Sequence, residues 1–221
     1  MISIALDGPA GAGKSTIAKA LAKKTGFIYV DTGALYRATA LKFISLGFDT
    51  SLECDIEDIL SETAVDIKFV DGEQHVFLDG ADVNGNIRTS EVSMMASAVS
   101  AKPPVRSFLL NMQRNLAKNN NVIMDGRDIG TVVLPDATVK FFVTASAEER
   151  AKRRCRDLER LGEKPDFAAV LNDINTRDYN DSHREIAPLK AAEDAVLYDT
   201  TGESLEQSVN GLYNIISERT K

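Results

Sequence analysis

A glycine-rich segment near the amino terminus has the residue types and the spacing needed to bind phosphate. The run GPAGAGKS at residues 8–15 fits the pattern G-x-x-x-x-G-K-[ST] at every fixed position. Glycines let the backbone curl so that several N–H groups point inward, and a following helix directs its positive end at the same anion. Lys14 is expected to reach the β- and γ-phosphates of a nucleotide, and the Ser15 hydroxyl to bind Mg²⁺. The motif therefore predicts a nucleoside triphosphate site.

An acidic residue at the end of an apolar segment is the candidate partner for the metal. Residues 122–124 are apolar and are followed directly by Asp125. A carboxylate in this position of a P-loop protein holds Mg²⁺ directly or through water. An Asp before a glycine is also a common turn residue, and the phosphate-binding loop is what favours the metal interpretation here.

A group of arginines lies where predicted strands and helices give way to loops. Phosphoryl transfer leaves little covalent chemistry to the protein, so positioning and charge neutralisation supply most of the catalysis. ATP and a phosphorylated acceptor would bring about six negative charges into one cleft at neutral pH. Mg²⁺, Lys14 and several arginines would balance that charge. The arginines are Arg37, Arg106, Arg127, Arg177 and Arg184.

The segments that must carry these residues alternate between strand and helix. Residues 2–6 predict a buried strand, residues 15–24 a helix that ends at Gly26, and residues 27–30 a second strand. This order is typical of a parallel α/β sheet. Further strands are expected at residues 122–124, 139–143 and 196–198, and further helices at residues 147–161, at residues 167–177 and after a capping box formed by Ser204 and Gln207.

A different pattern interrupts this order in the first half of the chain. Residues 65–69 alternate between apolar and polar side chains, Asp71 and Gly72 form a strong hairpin signal, and residues 76–78 continue as a strand. Helices are predicted on either side, at residues 32–46 and at residues 90–118, the second interrupted at Pro103 and Pro104. The pattern therefore predicts a small antiparallel β insert within an otherwise parallel fold.

Composition and charge exclude several classes of protein. The 221 residues are 43% hydrophobic and 27% charged, which suits a normal core, and the net charge of −7 argues against a general nucleic-acid binder. Cys54 and Cys155, with His75 and His183, lack the spacing of zinc ligands, so we expect reduced thiols and no zinc. No apolar run approaches the roughly 20 residues that span a bilayer, and no signal peptide is apparent. We expect a cytoplasmic monomer that binds neither membranes nor nucleic acid.

The absence of two motifs narrows the set of reactions that the chain could catalyse. The chain has neither the H-R-D-x-x-x-x-N catalytic loop of protein kinases nor an N-K-x-D segment that would read guanine. A nucleoside monophosphate acceptor would need no general base, because its phosphate oxygen is already ionised. These observations favour a small-molecule kinase. The phosphate loop alone leaves open a kinase for AMP, UMP or shikimate, and also a nucleotide-dependent switch or assembly ATPase.

Five segments carry a resemblance to a known family: GPAGAGKST at residues 8–16, DTGALYR at 31–37, DGRDIGTVV at 125–133, RD at 177–178 and REIAPL at 184–189. The first is shared by many kinases, whereas the third and the last are far more specific. Taken together, they resemble the cytidylate kinase family of nucleoside monophosphate kinases over essentially the whole chain. The resemblance implies transfer of a phosphoryl group from ATP-Mg²⁺ to CMP or dCMP, in pyrimidine nucleotide metabolism.

The resemblance also implies the organisation of the chain. The fold class would be α/β, with three αβα layers around a central parallel sheet, a small antiparallel β insert in a monophosphate-binding lobe, and a short lid. The arginine-rich helix near residues 150–160 resembles that lid, although a solvated helix with i,i+4 ion pairs would look similar. The implied boundaries are core 1–31, monophosphate-binding lobe 32–89, core 90–146, lid 147–166 and core 167–221.

On the donor side, the resemblance implies that the P-loop binds ATP with help from the lid. Ser15 and Asp125 would hold Mg²⁺, and Lys14, Arg127 and Arg184 would be catalytic. The implied ATP-binding residues are Gly8, Pro9, Ala10, Gly11, Ala12, Gly13, Lys14, Ser15, Thr16, Arg150 and Arg154.

On the acceptor side, the resemblance implies three groups of CMP-binding residues, with Thr32 supplying a hydroxyl. Arg37, Arg127 and Arg184 would clamp the phosphate; Ser97, Arg106 and Asp128 would read the base; Arg177 and Asp181 would contact the sugar. The base assignment has a physical reason, because a carboxylate can accept a hydrogen bond from the N4 amino group of cytosine. Uracil has an oxygen there and would leave Asp128 unpaired. CMP and dCMP are therefore predicted over UMP.

Overall fold

The computed structural model describes residues 1–48, 56–70, 73–160 and 162–220 of the chain. Its central sheet is formed by strands β1 (Ser3–Asp7), β2 (Ile28–Asp31), β6 (Val122–Gly126), β7 (Val139–Thr144) and β8 (Val196–Asp199). The strand order is β2-β6-β1-β7-β8, and each neighbouring pair is parallel. The carboxyl ends of the strands therefore meet along one edge, which is where ligands bind in open α/β sheets.

Helices cover both faces of this sheet. Helices α1 (Lys14–Thr25) and α8 (Leu205–Arg219) pack in one apolar cluster with Ile4 and Leu6 of β1. Ala5 of the same strand belongs to a cluster on the opposite face, which includes residues of helix α5 (Pro103–Asn119). Successive strand residues point to opposite faces, so this alternation produces three layers. The predicted αβα fold with a parallel sheet is confirmed.

Local signals at the helix ends act as the sequence predicts. The Gly26 backbone is left-handed, with φ of 74°, and its N–H bonds back to Ala22 at the end of α1. At the start of α8, Ser204 and Gln207 make both hydrogen bonds of a capping box.

The β insert is a separate antiparallel sheet. Strands β3 (Val65–Val70), β4 (Glu73–Leu78) and β5 (Ala81–Asp82) lie in the order β3-β4-β5. The hairpin signal at Asp71 and Gly72 lies outside the described residues, but Val70 and Glu73 on either side of it are paired. Gln74 of β4 ties the insert to β2, because its side-chain amide accepts from Asp31 N at 2.8 Å and donates to Asp31 O at 3.2 Å.

A third apolar cluster joins the insert to the helices around it. Helices α2 (Thr32–Ser45), α3 (Ile56–Ser61) and α4 (Ser90–Val99) contribute to it, and so does α5 as far as Leu109. The apolar packing of this lobe thus extends beyond residue 89. The break between α4 and α5 follows from Pro103, whose missing N–H suits the first turn of a helix.

Two packed helices complete the described chain. Helix α6 (Ala147–Arg160) packs against α7 (Phe167–His183). The structure continues α7 six residues beyond the predicted end at residue 177, because no glycine or proline interrupts the chain there. Asp181 therefore lies on a helix, one turn after Arg177. Among the described residues, no helix is both long and apolar enough to cross a membrane.

Candidate active site

The P-loop joins the end of β1 to α1 and is shaped by its glycines. At Gly8, φ is 145° and an added Cβ would lie 1.9 Å from the carbonyl oxygen of Val143 in the adjacent strand, so a side chain cannot be accommodated. Gly13 caps α1 in a left-handed conformation and provides no side-chain cap. The first N–H groups of α1 are therefore available to an anion.

Lys14 is held inside the loop. Its side chain is buried, with the residue 5% exposed, and Nζ donates to Pro9 O at 2.7 Å. Burial, followed by the nearby charge of Arg127, lowers the pKa of Lys14 to about 7. A bound polyphosphate would favour the charged ammonium and raise that pKa again. The position suits a lysine whose natural partner is an anion within the P-loop.

Asp125 lies beside Ser15 at the end of β6. Ser15 Oγ donates to Asp125 Oδ2 at 2.7 Å, and the Tyr29 hydroxyl donates to Oδ1 at 3.1 Å. Burial, and then the charge of Asp31, raises the pKa of Asp125 to about 6. A divalent cation would relieve this cost of ionisation. The hydroxyl and carboxylate oxygens are the hard ligands that Mg²⁺ prefers, so the pair fits that ion.

The protein would supply only part of the coordination of such an ion. Within the described ranges, no three His, Cys, Asp or Glu residues are grouped so that they could hold a metal. Mg²⁺ commonly binds through one or two protein ligands, with substrate phosphates and water completing the octahedron. The sparse set at Ser15 and Asp125 agrees with that mode of binding.

Asp128 forms the centre of a second group of charges. The residue is 4% exposed, and its Oδ2 accepts a hydrogen bond from Arg106 Nη2. Arg184 Nη2 lies 3.8 Å from Oδ1 of the same carboxylate. Arg106 also donates to Ser100 O at 3.2 Å, and Arg184 Nε donates to Ala187 O at 2.6 Å. The structure thus brings together Arg106, Asp128 and Arg184 from three distant parts of the chain.

Two other predicted arginines are also held by carboxylates. Arg37 Nη2 lies 3.0 Å from Asp31 Oδ2, and Arg127 Nε lies 2.8 Å from Asp181 Oδ2. Two arginines of the site nevertheless keep unused donors. Within the described part of the chain, Arg37 Nε and Arg184 Nη2 are buried and make no hydrogen bond. Buried donors of this kind are costly unless a ligand satisfies them, so they point to an anion site.

The remaining acceptor-side residues differ in their surroundings. The Thr32 hydroxyl is buried and donates to the backbone oxygen of Asp125 at 2.7 Å, so it joins α2 to the end of β6. Ser97 and Arg177 are exposed. Arg177 shares a face of α7 with Asp181, because the two are four residues apart. Among the described residues, no hydrogen bond joins Ser97 directly to Arg106, Asp128 or Arg184, although Ser100, which bonds Arg106, also donates to Ser97 O at 2.9 Å.

The two predicted lid arginines have opposite environments. Arg150 is buried and uses most of its donors: it donates to Asp178 at 3.0 and 2.6 Å, to Ala10 O at 3.2 Å and to Ala145 O at 2.9 Å. It therefore supports the P-loop from α6. Arg154 is exposed.

Sequence reasoning missed Arg153, whose guanidinium lies beside Gly13 at the start of α1. Its guanidinium donates to Thr200 Oγ1 at 3.1 Å and Thr200 O at 2.8 Å. Its Nη1 would lie 3.6 Å from a Cβ at Gly13. The available sequence signal was the spacing from Glu149, with which it forms an i,i+4 ion pair.

Two further charged residues were also missed. Asp7 is buried at the end of β1 and bonds the loop that follows Asp128. Its signal was an acidic residue at the carboxyl end of a buried parallel strand, directly before the P-loop. Arg88 is mostly exposed and lies 3.6 Å from Asp31 Oδ2, beside Arg37. No sequence pattern singled it out.

The parallel sheet, the P-loop at the end of its first strand and the arginines that surround it define a P-loop kinase. A solved structure of an uncharacterized protein from Eubacterium ventriosum shares the fold, with a TM-score of 0.55 at 14% identity, covering 98% of this chain and 99% of that one. The family model for cytidylate kinase matches residues 4–218. This chain belongs to the cytidylate kinase family.

Individual relatives agree with that assignment over nearly the full length. A protein named cytidylate kinase from Caldicellulosiruptor bescii is 54% identical over 206 residues, which cover 93% of this chain and 91% of that one. Another, from Lactobacillus johnsonii, is 46% identical over 221 residues, covering 100% and 96%. The resemblance inferred from the sequence is confirmed.

Proposed function

We propose that this chain transfers the γ-phosphoryl group of ATP to CMP or dCMP and releases ADP with CDP or dCDP. The observation that carries the proposal is the Asp128 group. A buried carboxylate held by Arg106 and close to Arg184 lies in a site whose arginines retain unsatisfied donors. Family membership supports the same reaction.

The donor half of the site would be the P-loop. Its backbone N–H groups and the start of α1 would bind the phosphates of ATP, and Lys14 would move from Pro9 O to the β- and γ-phosphates. Ser15 and Asp125 would hold Mg²⁺, which screens the phosphate charges when it is bound. The exposed Arg154 is free to reach ATP, and Arg150, the other proposed ATP-binding arginine, would act beside Ala10 of the P-loop, whose carbonyl it already bonds.

The phosphate of the acceptor would be bound by Arg37, Arg127 and Arg184. Each is held by a carboxylate or a carbonyl through part of its guanidinium. The remaining donors would be preoriented for phosphate oxygens, which form strong charge-assisted hydrogen bonds with arginine. Arg88 adds positive charge at the Arg37 end of this group.

The base would be recognised by Asp128, with Arg106 and Ser97. Cytosine presents an amino donor at N4 and can bond a carboxylate directly. Uracil presents an oxygen at the same position and would face the carboxylate with no proton between them. A buried group left unpaired in this way costs about 1–3 kcal/mol. Arg177 and Asp181 are the proposed sugar contacts.

The reaction itself requires positioning and no general base. An ionised oxygen of the acceptor phosphate would attack the γ-phosphorus in line as the bond to the β-phosphate oxygen breaks, leaving ADP. Lys14, Arg127 and Arg184 would neutralise the charge that spreads over the transferred group. Closure of the lobe formed by residues 32–89 and of the lid at residues 147–166 would exclude water, which otherwise competes as an acceptor.

An ADP-release assay over a panel of acceptors tests this proposal. The panel contains CMP, dCMP, UMP, AMP, GMP and shikimate, and an incubation without acceptor measures hydrolysis. We expect the fastest turnover with CMP and dCMP, slower turnover with UMP, and little ADP without an acceptor. Turnover restricted to AMP or shikimate, or rapid ADP release with no acceptor, would show that the proposal is wrong.

A further inference from the structure

Asp7 is a buried carboxylate that the mechanism above does not use. It ends β1, directly before Gly8, and the residue is only 3% exposed. Its Oδ1 accepts from Ile129 N and its Oδ2 from Gly130 N, both at 2.7 Å. The two oxygens are thus occupied by consecutive backbone N–H groups, 122 and 123 residues away in the chain. Such a pair of short bonds fixes the loop in both position and orientation.

The two N–H groups belong to a π-helical turn that begins directly after Asp128. The turn spans Ile129–Val133 and is closed by bonds from Val133 N to Asp128 O at 3.2 Å and from Leu134 N to Ile129 O at 2.7 Å. The first N–H groups of any helix have no partner within that helix. Asp7 supplies the missing acceptors from a different strand.

Asp128 occupies the position from which an aspartate normally caps its own helix. Asp is among the preferred residues there, because its side chain can accept from the first-turn N–H groups. Here Asp128 makes no side-chain cap, and its carboxylate is directed to Arg106 and Arg184 instead. The capping role and the ligand-facing role are thus divided between two aspartates, Asp7 and Asp128.

The close approach of the loop depends on a residue without a side chain. A Cβ at Gly130 would lie 3.3 Å from Asp7 Oδ2 and 3.1 Å from Cδ of Lys140. The backbone of Asp7 is at the same time paired with Gly126 in the central sheet. Asp7 therefore holds both ends of the segment that carries Arg127 and Asp128.

We propose that Asp7 is a positioning residue that caps the acceptor loop in place of Asp128 and so leaves the Asp128 carboxylate free to read the acceptor base. Because Gly8 follows it directly, the same residue sets the position of this loop relative to the P-loop. The inference rests on the proposed function, since the role of Asp128 in base recognition is part of that proposal.

If Asp7 acted only through its charge, its removal would change the KM of CMP in the opposite direction. The site must accept about six negative charges from its two substrates. Removing a carboxylate near Lys14 should then lower the KM values of both ATP and CMP. If Asp7 acts as a cap, its removal should raise the KM of CMP and leave that of ATP nearly unchanged.

The decisive variant is Asp7→Asn, which keeps the size of the side chain. Its amide oxygen can accept from one loop N–H, but its NH₂ group would face the other. We expect the KM for CMP to rise about tenfold, in line with the loss of one hydrogen bond to a charged acceptor. The KM for ATP should stay within about twofold, and the CMP/UMP ratio of kcat/KM should fall.

Gly130→Ala tests the same contact from the other side and keeps Asp7 intact. The added methyl pushes the loop away from Asp7, so we expect the same selective rise in the KM of CMP. Asp194→Asn is the matched control. Asp194 bonds Lys140 at 2.9 Å, next to the loop, and the two KM values should not change in this variant. Circular dichroism and the Tm establish folding for each variant, and Gly130→Ala decides the question if Asp7→Asn does not fold.

The outcomes separate the two proposals. If the wild-type protein does not phosphorylate CMP, the proposed function is wrong. If the wild type does so but the folded variants keep the KM of CMP within about twofold and an unchanged CMP/UMP ratio, the capping role of Asp7 is wrong and the proposed function stands. A fall in both KM values for Asp7→Asn would show that its charge, and not its capping, matters.

Discussion

Replacing Asp128 with asparagine probes acceptor selection with the smallest change in shape. The substitution exchanges one carboxylate oxygen for an NH₂ group and removes the negative charge. With CMP, a charge-assisted bond to the N4 amino group is weakened or lost, which costs about 1.5–3 kcal/mol. Each 1.4 kcal/mol is a factor of ten, so kcat/KM for CMP should fall by about 10- to 100-fold. With UMP, the new NH₂ group can donate to the uracil oxygen.

The same substitution must affect stability, because Asp128 pairs with arginines. The side chain of Asp128 is 6% exposed and those of Arg106 and Arg184 are 11% exposed. Breaking a buried ion pair by removing one charge costs about 3–5 kcal/mol. For a protein of this size, 1 kcal/mol corresponds to about 2–4 °C in Tm. We therefore expect the Tm to fall by roughly 6–20 °C, and the kinetics must be measured well below it.

The assay is steady-state ADP release with CMP and UMP at saturating ATP, together with the KM for ATP. We expect the CMP/UMP ratio of kcat/KM to fall at least tenfold while the KM for ATP stays within about twofold. Asp82→Asn is a suitable control, because Asp82 lies exposed in β5 of the insert, where it pairs with His75. An unchanged CMP/UMP ratio in folded Asp128→Asn would refute the reasoning.

Three further predictions concern the donor half of the site. Lys14→Ala should abolish turnover and leave the circular dichroism spectrum unchanged; kcat near the wild-type value would contradict the role of Lys14. Gly8→Ala should abolish ATP binding measured by calorimetry, because its Cβ would meet Val143 O at 1.9 Å, whereas Gly26→Ala has open space around it and should retain activity, at a cost of about 1–2 kcal/mol for its left-handed backbone. Asp125→Asn should raise the Tm at pH 8 but not at pH 4. The folded pKa of about 6 lies above the ordinary value of 3.8, so this group contributes stability at low pH that is lost as the pH rises through 6. The Asp125→Asn variant should also lose Mg²⁺-dependent turnover. A Tm at pH 8 below that of the wild type would contradict this prediction.

Features encoded by neighbouring residues could be predicted from the sequence. The P-loop is a continuous motif, the end of α1 depends on Gly26, and the β insert follows from alternation over a few residues. These signals act through the backbone conformation of neighbouring residues. In this protein, tertiary contacts do not change the conformations that they favour. The same is true of the break before Pro103.

Features that depend on distant contacts could not be predicted. The resemblance implies that Arg150 is a ligand of ATP, but only the packing of α6 against α7 shows that Asp178 and Ala10 already accept hydrogen bonds from its guanidinium. The capping contact of Asp7 joins residues more than 120 positions apart, and nothing near Asp7 in sequence indicates its partner. Arg88 approaches Asp31 only because the insert folds back towards β2.

The amide of Gln74 has a consequence for the exposed margin of the central sheet. β2 is an outermost strand, and such strands offer unpaired backbone groups to which other chains can add. Gln74 bonds both the N–H and the C=O of Asp31, as the next strand of a sheet would. It thereby ends the ladder and protects this end of β2 from intermolecular pairing. A movement of the insert that separated Gln74 from Asp31 would expose the backbone N–H and C=O of Asp31. We therefore expect the insert to rotate about this contact during any such movement.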